Sequence, residues 1–442
     1  MPKQRYDPEL FALPEGVTDG QHVVATYFVQ APVGTDIIKR CLGFATEQTT
    51  GTWVDVPGET CELRCEHAAK LVGLTEVPDY ETGLPGDDCT RSFVVRLAFP
   101  WVNFGDSFPM LLSTIPGNIS FGFPVKLVDI EFPDVFLSKF QGPKFGIDGL
   151  RELLGVYDRP LLNNMIKPCT GFPPEVGAEL VYQAAAGGVD IIKDDELLGG
   201  SPAFSPLEKR VETYMQAIAR ADAEKGEKTL YTVNITDRVG RLRDNALRAI
   251  NAGANALMVN YVATGLSALR MLAEDPEVNV PILGHATAGG SMIVSPHSGI
   301  SAHLVMAKLP RMAGADIIND LVPYGKLPIL KSKYVRIAHI CRGKLGALKP
   351  TFPNAVAGVY PGNVPEVIAD LGLDCVLGAG GGIHAHPLGP QAGAVAMRQA
   401  IDAALQGVPL EESAQAQPEL RAAIEAWGVW KEESLGLFAR LR

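Results

Sequence analysis

Gly187-Gly188-Val189-Asp190-Ile191-Ile192-Lys193-Asp194-Asp195-Glu196 compresses a helix ending, a buried strand and a charged terminus into one stretch. Glycine suits a helix C-terminus because it takes the left-handed conformation without steric cost. The succession has echoes: Ala186-Gly187-Gly188-Val189-Asp190, Ala252-Gly253-Ala254-Asn255 and Ala313-Gly314-Ala315-Asp316 each read as closing a helix and opening a strand. Working outward, eight short apolar runs, each followed by an amphipathic helical stretch, occupy 161–167, 189–193, 230–235, 256–261, 280–285, 316–319, 354–358 and 375–379. Eight near-continuous apolar strands alternating with helices are what a parallel (β/α)8 TIM barrel requires, since both faces of each strand are covered. An open doubly wound sheet is the alternative that the pattern leaves. In a barrel the chemistry sits at the C-terminal strand ends, which puts Lys167, Lys193, Asn234, His285, Asn319 and the glycines after Leu377 at the predicted site.

The preceding residues lack that alternation. Strand-like runs at 23–30, 92–99 and 125–132 mix with a helical one at 36–48, which reads as an α+β domain. The expected organisation is an N-terminal α+β domain over 1–145 and a TIM-barrel domain with C-terminal helices over 146–442. A net charge of -11 argues against a nucleic-acid or acidic-membrane partner, because phosphate backbones select basic surfaces. Neither a secretory signal nor an apolar span of membrane length is evident, so a soluble, cytoplasmic protein is expected. The 7 cysteines lack paired spacing and read as reduced thiols. Cys61 and Cys65 have the spacing of half a metal site, but no second Cys or His pair matches it.

A lysine followed by Asp194, Asp195 and Glu196 at a buried strand end is costly unless compensated. Carboxylates at that density are what magnesium selects. The plainer reading is a solvated charge cluster, with Lys193 neutralising Asp195. At a barrel mouth, however, a desolvated lysine has a lowered pKa and can add carbon dioxide as a carbamate, which turns a cation into a third oxygen ligand.

Over nearly its whole length the chain resembles the RuBisCO large-chain family, as a RuBisCO-like (form IV) member with a ferredoxin-like N-terminal domain. In that family the lysine of K-D-D-E is carbamylated and binds magnesium with the second aspartate and the glutamate. The resemblance places those roles on Lys193, Asp195 and Glu196, with Mg2+ and carbon dioxide as the implied cofactors. Thr46-Glu47-Gln48-Thr49-Thr50-Gly51-Thr52-Trp53 resembles the E-S-S-T-G-T-W segment that reaches into a neighbouring subunit's barrel, which implies a homodimer with shared sites. Pro116-Gly117-Asn118 resembles the G-N whose asparagine joins that site. From composition alone, Glu47 and Asn118 read as surface polar residues.

Ile166-Lys167-Pro168 resembles the end of the family's first strand, where the lysine moves protons at the enediol. Beside a divalent cation such a lysine is expected to titrate nearer neutrality. His285 aligns with the histidine ending strand five, a position equally open to a structural role. Tyr324-Gly325-Lys326-Leu327 resembles the mobile loop after strand six, whose lysine meets the carboxylate formed from carbon dioxide. Gly378-Ala379-Gly380-Gly381-Gly382-Ile383-His384 resembles the glycine run whose backbone N–H groups cradle a phosphate. The resemblance thus implies a phosphate site of Thr52, Trp53, Lys326, Gly380 and Gly381.

Departures from the family pattern carry more functional information. Ala286 and Gly289 stand where an arginine and a histidine hold the second phosphate; Asn319 replaces the strand-six histidine, Gly358 the serine after strand seven, and Cys169 the second lysine of K-P-K. Each lost charge-assisted bond is worth about 1.5–3 kcal/mol, so ribulose bisphosphate is expected to bind poorly. What remains suits a phosphorylated ketone with one phosphate. Lys326 favours decarboxylation of a 3-oxo sugar-acid phosphate of the 3-oxo-isoapionate 4-phosphate type, because such a substrate gives that lysine a carboxylate to meet. The alternatives are the methionine-salvage 2,3-diketo-5-methylthiopentyl-1-phosphate enolase reaction, which 232–234 and 381–387 resemble, a sugar-phosphate isomerase, and a non-catalytic phosphate-binding scaffold.

Overall fold

The computed structural model describes residues 5–431 except 53, 55, 87, 88, 123, 201 and 328. It divides into two units, one made of Met1–Phe140, Ala288–Val305 and Leu345–Leu348, the other of Gln141–Thr287, Met306–Lys344 and Lys349–Arg442.

In the first unit β1 (His22–Pro32), β2 (Lys70–Glu76), β3 (Thr90–Pro100) and β4 (Val125–Glu131) form an antiparallel sheet in the order β4-β1-β3-β2. The helix Ile37–Glu47 connects β1 to β2 and the helix Phe108–Thr114 connects β3 to β4, which makes the ferredoxin-like βαββαβ topology. Alternation along β1 buries Val23, Ala25, Tyr27, Val29 and Ala31. Asp36 starts the first helix by accepting a hydrogen bond from the Lys39 N–H at 3.1 Å, which satisfies one of its orphan donors.

In the second unit β5 (Leu161–Met165), β6 (Ile191–Lys193), β7 (Leu230–Asn234), β8 (Ala256–Asn260) and β9 (Ile282–His285) run parallel in sequence order. The two-residue β10 (Gly299–Ile300) pairs with β4 in the first unit, which is why a later segment belongs there. The barrel resumes with β11 (Ile317–Leu321), β12 (Phe352–Val356) and β13 (Val376–Ala379), and closes in the order β11-β12-β13-β5-β6-β7-β8-β9. Every one of the eight predicted runs overlaps a barrel strand.

The sequence echo has a structural cause. Gly188, Gly253 and Gly314 have φ of 99°, 103° and 100°, a conformation that favours glycine, and each lets the helix turn into the next strand. The residue two positions later clips the start of the neighbouring strand. Asp190 accepts from the Leu162 N–H, Asn255 from Tyr231 and Asp316 from Ile282, at 2.7, 2.7 and 2.9 Å. Donors that would lie orphaned at the strand starts are thereby paired.

One apolar side chain from each strand fills the barrel floor: Leu161, Ile191, Leu230, Ala256, Leu283, Ile317, Phe352 and Val376. Ile147, Leu150 and Leu154 of the helix Gly146–Leu154 pack into the same cluster. Each such burial contributes roughly 1.5–3 kcal/mol, and Leu230→Ala would lose about 2–5 kcal/mol through the cavity left behind. Among the described residues no helix is long and apolar enough to cross a membrane.

Candidate active site

Side chains alternate along a strand, so the residues two positions beyond the floor point the same way. They are Asn163, Lys193, Thr232, Met258, His285, Asn319, Asn354 and Gly378. The floor is apolar and the next tier is mostly polar. Lys193 is 1% exposed, and its Nζ donates to the Asp194 carbonyl at 2.8 Å and to Glu196 Oε2 at 3.4 Å. Burial holds this amine below the usual lysine value, against the pull of Glu196 and Asp195.

The three carboxylates after Lys193 do not act together. Alternation turns Asp194 to the opposite face, where it forms a fully buried ion pair with Arg210 at 3.2 Å and accepts from the Tyr231 hydroxyl at 2.7 Å and the Asn234 N–H at 3.0 Å. Asp194 therefore anchors the turn. Asn234 Nδ2 donates to the carbonyls of Asp195 and Glu196 at 3.2 and 3.3 Å, and Asn260 Nδ2 to that of Glu196 at 3.0 Å. Asn234, expected at the site, is thus a support for its backbone. Arg210, Tyr231 and Asn260 escaped the sequence reading; alternation alone could have assigned Asp194 away from the barrel axis.

Asp195 and Glu196 instead meet the two lysines. Lys167 Nζ lies 2.6 Å from Asp195 Oδ2 and 3.0 Å from Cys169 Sγ. Burial opposes ionisation at both members of the Lys167–Asp195 pair, but their mutual hydrogen bond and charge prevail: the amine is raised and the carboxyl lowered. The expectation of a Lys167 titrating nearer neutrality applies to a lysine beside a divalent cation; beside the anionic Asp195 the amine is raised instead. His285 Nδ1 accepts from the Thr287 N–H at 3.1 Å, which leaves Nε2 as the protonated nitrogen, 3.4 Å from Glu196 Oε2. Burial, and next the charge of Lys193, hold this imidazole well below its usual value.

The glycine run after β13 packs close to these groups. A Cβ on Gly380 would meet Lys167 Cε at 3.1 Å, whereas at Gly381 it would meet nothing within 4 Å. His384 ends this run, with Nε2 3.1 Å from Asn164 Oδ1 and Nδ1 buried without a partner. Lys326 follows β11 with an exposed side chain, and its backbone N–H donates to the Ala357 carbonyl at 2.9 Å. Gly325 and Gly358 touch here: a Cβ at Gly358 would lie 2.3 Å from Gly325 Cα.

Glu47, Thr52 and Asn118 belong to the first unit and are exposed; Trp53 lies outside the described residues. The structure brings the segments of Glu47 and Asn118 together through Gln48, whose Nε2 donates to the Thr114 carbonyl. Gly117, with φ 28°, packs so tightly here that a Cβ would fall 1.8 Å from Gln48 Nε2.

Against known families, residues 14–136 match the N-terminal domain of the ribulose bisphosphate carboxylase large chain, and residues 146–427 match its catalytic domain. The chain belongs to the RuBisCO large-chain family. Within it this is a RuBisCO-like protein of form IV. It is 52% identical over 396 residues to a ribulose bisphosphate carboxylase-like protein of Archaeoglobus fulgidus, covering 90% of each chain. It is 39% identical over 414 residues to the 2,3-diketo-5-methylthiopentyl-1-phosphate enolase of Geobacillus kaustophilus, covering 93% of this chain and 99% of that one. Among solved structures, a RuBisCO-like protein from Alicyclobacillus acidocaldarius superposes with TM-score 0.84 at 38% identity, covering 92% of this chain and 100% of the other.

RuBisCO-family enzymes depend on magnesium held partly by a carbamylated lysine, and the site of this RuBisCO-like protein fits such an ion under one condition. Among the described residues no three His, Cys, Asp or Glu side chains gather to hold a metal. Asp195 and Glu196 supply two hard oxygen donors, and an ammonium supplies none. A third would come from Lys193 as a carbamate, its buried amine lying beside Glu196.

Proposed function

We propose that this RuBisCO-like protein is a magnesium-dependent enzyme that enolises a singly phosphorylated ketone. The observation that carries the reading is the buried Lys193 Nζ, 3.4 Å from Glu196 Oε2 and within the electrostatic influence of Asp195, at the C-terminal end of a barrel strand. Neutral Nζ adds to the carbon of carbon dioxide: an N–C bond forms, one C=O electron pair moves to oxygen, and a proton leaves to solvent. Lys193 as carbamate, Asp195 and Glu196 would then hold Mg2+. When bound, magnesium supplies Lewis-acid polarisation of the ketone oxygen.

Lys167 is the proton-transfer group. With Asp195 engaged elsewhere, its amine loses the hydrogen bond that raises it, and burial then favours the neutral, basic form. His285, kept neutral, offers its Nε2 proton to a developing oxyanion. The phosphate lies against Gly380, Gly381 and Lys326, with Thr52 and Trp53 contributed by a second subunit, as are Glu47 and Asn118. Homodimerisation is therefore part of the proposal; a related RuBisCO from Hyperthermus butylicus, 33% identical with TM-score 0.82, is described as dimeric.

The names of the relatives favour 2,3-diketo-5-methylthiopentyl-1-phosphate as the substrate, since enolases that act on it align over 92–93% of this chain. This reverses the preference drawn from Lys326. Decarboxylation of a 3-oxo sugar-acid phosphate remains the second reading, favoured by the exposed Lys326 side chain on a backbone tied to Ala357. Purified protein with magnesium and bicarbonate is to be given each substrate while the diketone absorbance and carbon dioxide release are followed. A magnesium-dependent absorbance change supports the enolase, and carbon dioxide release the decarboxylase. Turnover of neither overturns both substrate assignments and brings forward an isomerase or a non-catalytic scaffold.

A further inference from the structure

The chain contains a buried amide with nothing to bind. Asn163 is 0% exposed, and neither its Oδ1 nor its Nδ2 has a hydrogen-bond partner. Asn260 and Asn354 each leave only one amide atom unpaired; Asn163 is the one described asparagine that leaves both. An unpaired buried polar group costs roughly 1–3 kcal/mol, so an arrangement that retains two such atoms in one side chain calls for a partner.

Its place in the barrel indicates which partner. Asn163 and Lys193 each stand two residues beyond a floor residue, Leu161 and Ile191, so alternation aims both inward. Their strands are hydrogen-bonded neighbours, with Asn163 opposite Ile191 and Met165 opposite Lys193. Lys193 therefore stands one inward-facing position further along the neighbouring strand than the residue paired with Asn163. Met165, directly opposite Lys193, has no group able to donate a hydrogen bond. Thr232, on the other side of Lys193, has its hydroxyl directed to the Ile192 carbonyl at 3.3 Å.

We propose that Asn163 is a positioning residue for the carbamate of Lys193: its Nδ2 donates to a carbamate oxygen and fixes the plane in which the group meets Asp195 and Glu196. This rests on the reading of Lys193 given above. A carbamate on a lysine Nζ is in equilibrium with free amine and carbon dioxide, so a donor that binds only the adduct raises its occupancy. Removing the donor shifts that equilibrium by the worth of one hydrogen bond to a charged group, about 1.5–3 kcal/mol, which is on the order of 10- to 100-fold in apparent carbon dioxide affinity.

The experiment measures the adduct itself. Full-length protein is titrated with 13C-bicarbonate with and without Mg2+, and the 13C carbamate resonance is integrated for wild type, Asn163→Asp and Asn163→Ala, with thermal melts alongside. Asn163→Asp keeps the side-chain shape but replaces the donor with an acceptor that repels the adduct. The expected result is a strong carbamate signal in wild type, a loss of at least about tenfold in apparent carbon dioxide affinity in both variants, and a smaller loss in Asn163→Ala than in Asn163→Asp. Should the aspartate variant fail to fold, the alanine variant decides alone. Undiminished carbamate in a folded variant overturns the role of Asn163 and leaves the metal site standing. No carbamate in wild type overturns the reading of Lys193 on which the inference rests.

Discussion

Lys167 Nζ and Asp195 Oδ2 stand 2.6 Å apart, so the group assigned to move the proton is bonded to a group assigned to hold the metal. Each fixes the other's protonation: the amine is held above and the carboxyl below its ordinary value, against the effect of burial. Release of one is coupled to engagement of the other, and a variant at either position reports on both functions.

Lys167→Met keeps most of the side-chain volume and removes the amine. Turnover is expected to fall by about 10²- to 10⁴-fold, the usual contribution of a general acid or base. Magnesium affinity by calorimetry should hold or rise, because Asp195 is no longer shared. Weaker magnesium binding together with full turnover would remove Lys167 from the chemistry.

Lys193→Arg retains a cation but cannot form the carbamate. Magnesium-dependent turnover should drop by about 10³-fold or more, since the ion loses a ligand and the ketone its polarising group. Unchanged turnover across a magnesium titration would refute the carbamate role.

Asp320 points out of the barrel into a fully buried setting, where neither oxygen makes a well-aligned hydrogen bond and the adjacent Leu321 N–H offers little compensation. Burial raises its carboxyl well above the usual value. The folded state therefore prefers the protonated acid, and the advantage, present below the ordinary carboxyl pKa, is lost as pH rises. Stability should decline by about 1.4 kcal/mol per pH unit above that value while the group stays protonated. Asp320→Asn should flatten the trend, giving a higher urea midpoint than wild type at pH 8 relative to their difference at pH 4; parallel profiles would contradict it.

His384 titrates in the opposite sense. Burial, and next the charge of Lys167, hold its imidazole down to about 4. A depressed histidine contributes stability that is present above about pH 6.5 and lost as pH falls toward 4, in total on the order of 3 kcal/mol. In His384→Gln the acid limb of a stability–pH curve should be shallower over that window. It should not vanish, because His285 is depressed by the same physics. An unaltered acid limb would show that His384 protonates freely.

The barrel was legible because its strands are short, apolar and punctuated by Gly188, Gly253 and Gly314. β2 was not: it is an edge strand whose register shifts between Leu71 and Gly73, so its alternation is broken. β10 has two residues, too few for any period. At the site, Lys193, Asp195 and Glu196 are consecutive enough to be read together. The anchors of Asp194 come from a helix and a strand far along the chain, and spacing carries no trace of Arg210 or Tyr231. Asn163 was invisible for another reason: an asparagine inside a barrel strand looks like any polar interruption until its lack of partners is seen.

The contact between Gly325 and Gly358 bears on what can be exchanged here. With the backbones this close, a hydroxyl-bearing residue at 358 would drive its Cβ into Gly325, so a serine cannot be accommodated there by one exchange. The neighbouring loop would have to retreat first, and that loop carries Lys326. A side chain at 358 is in this way conditional on the course of the chain at 325.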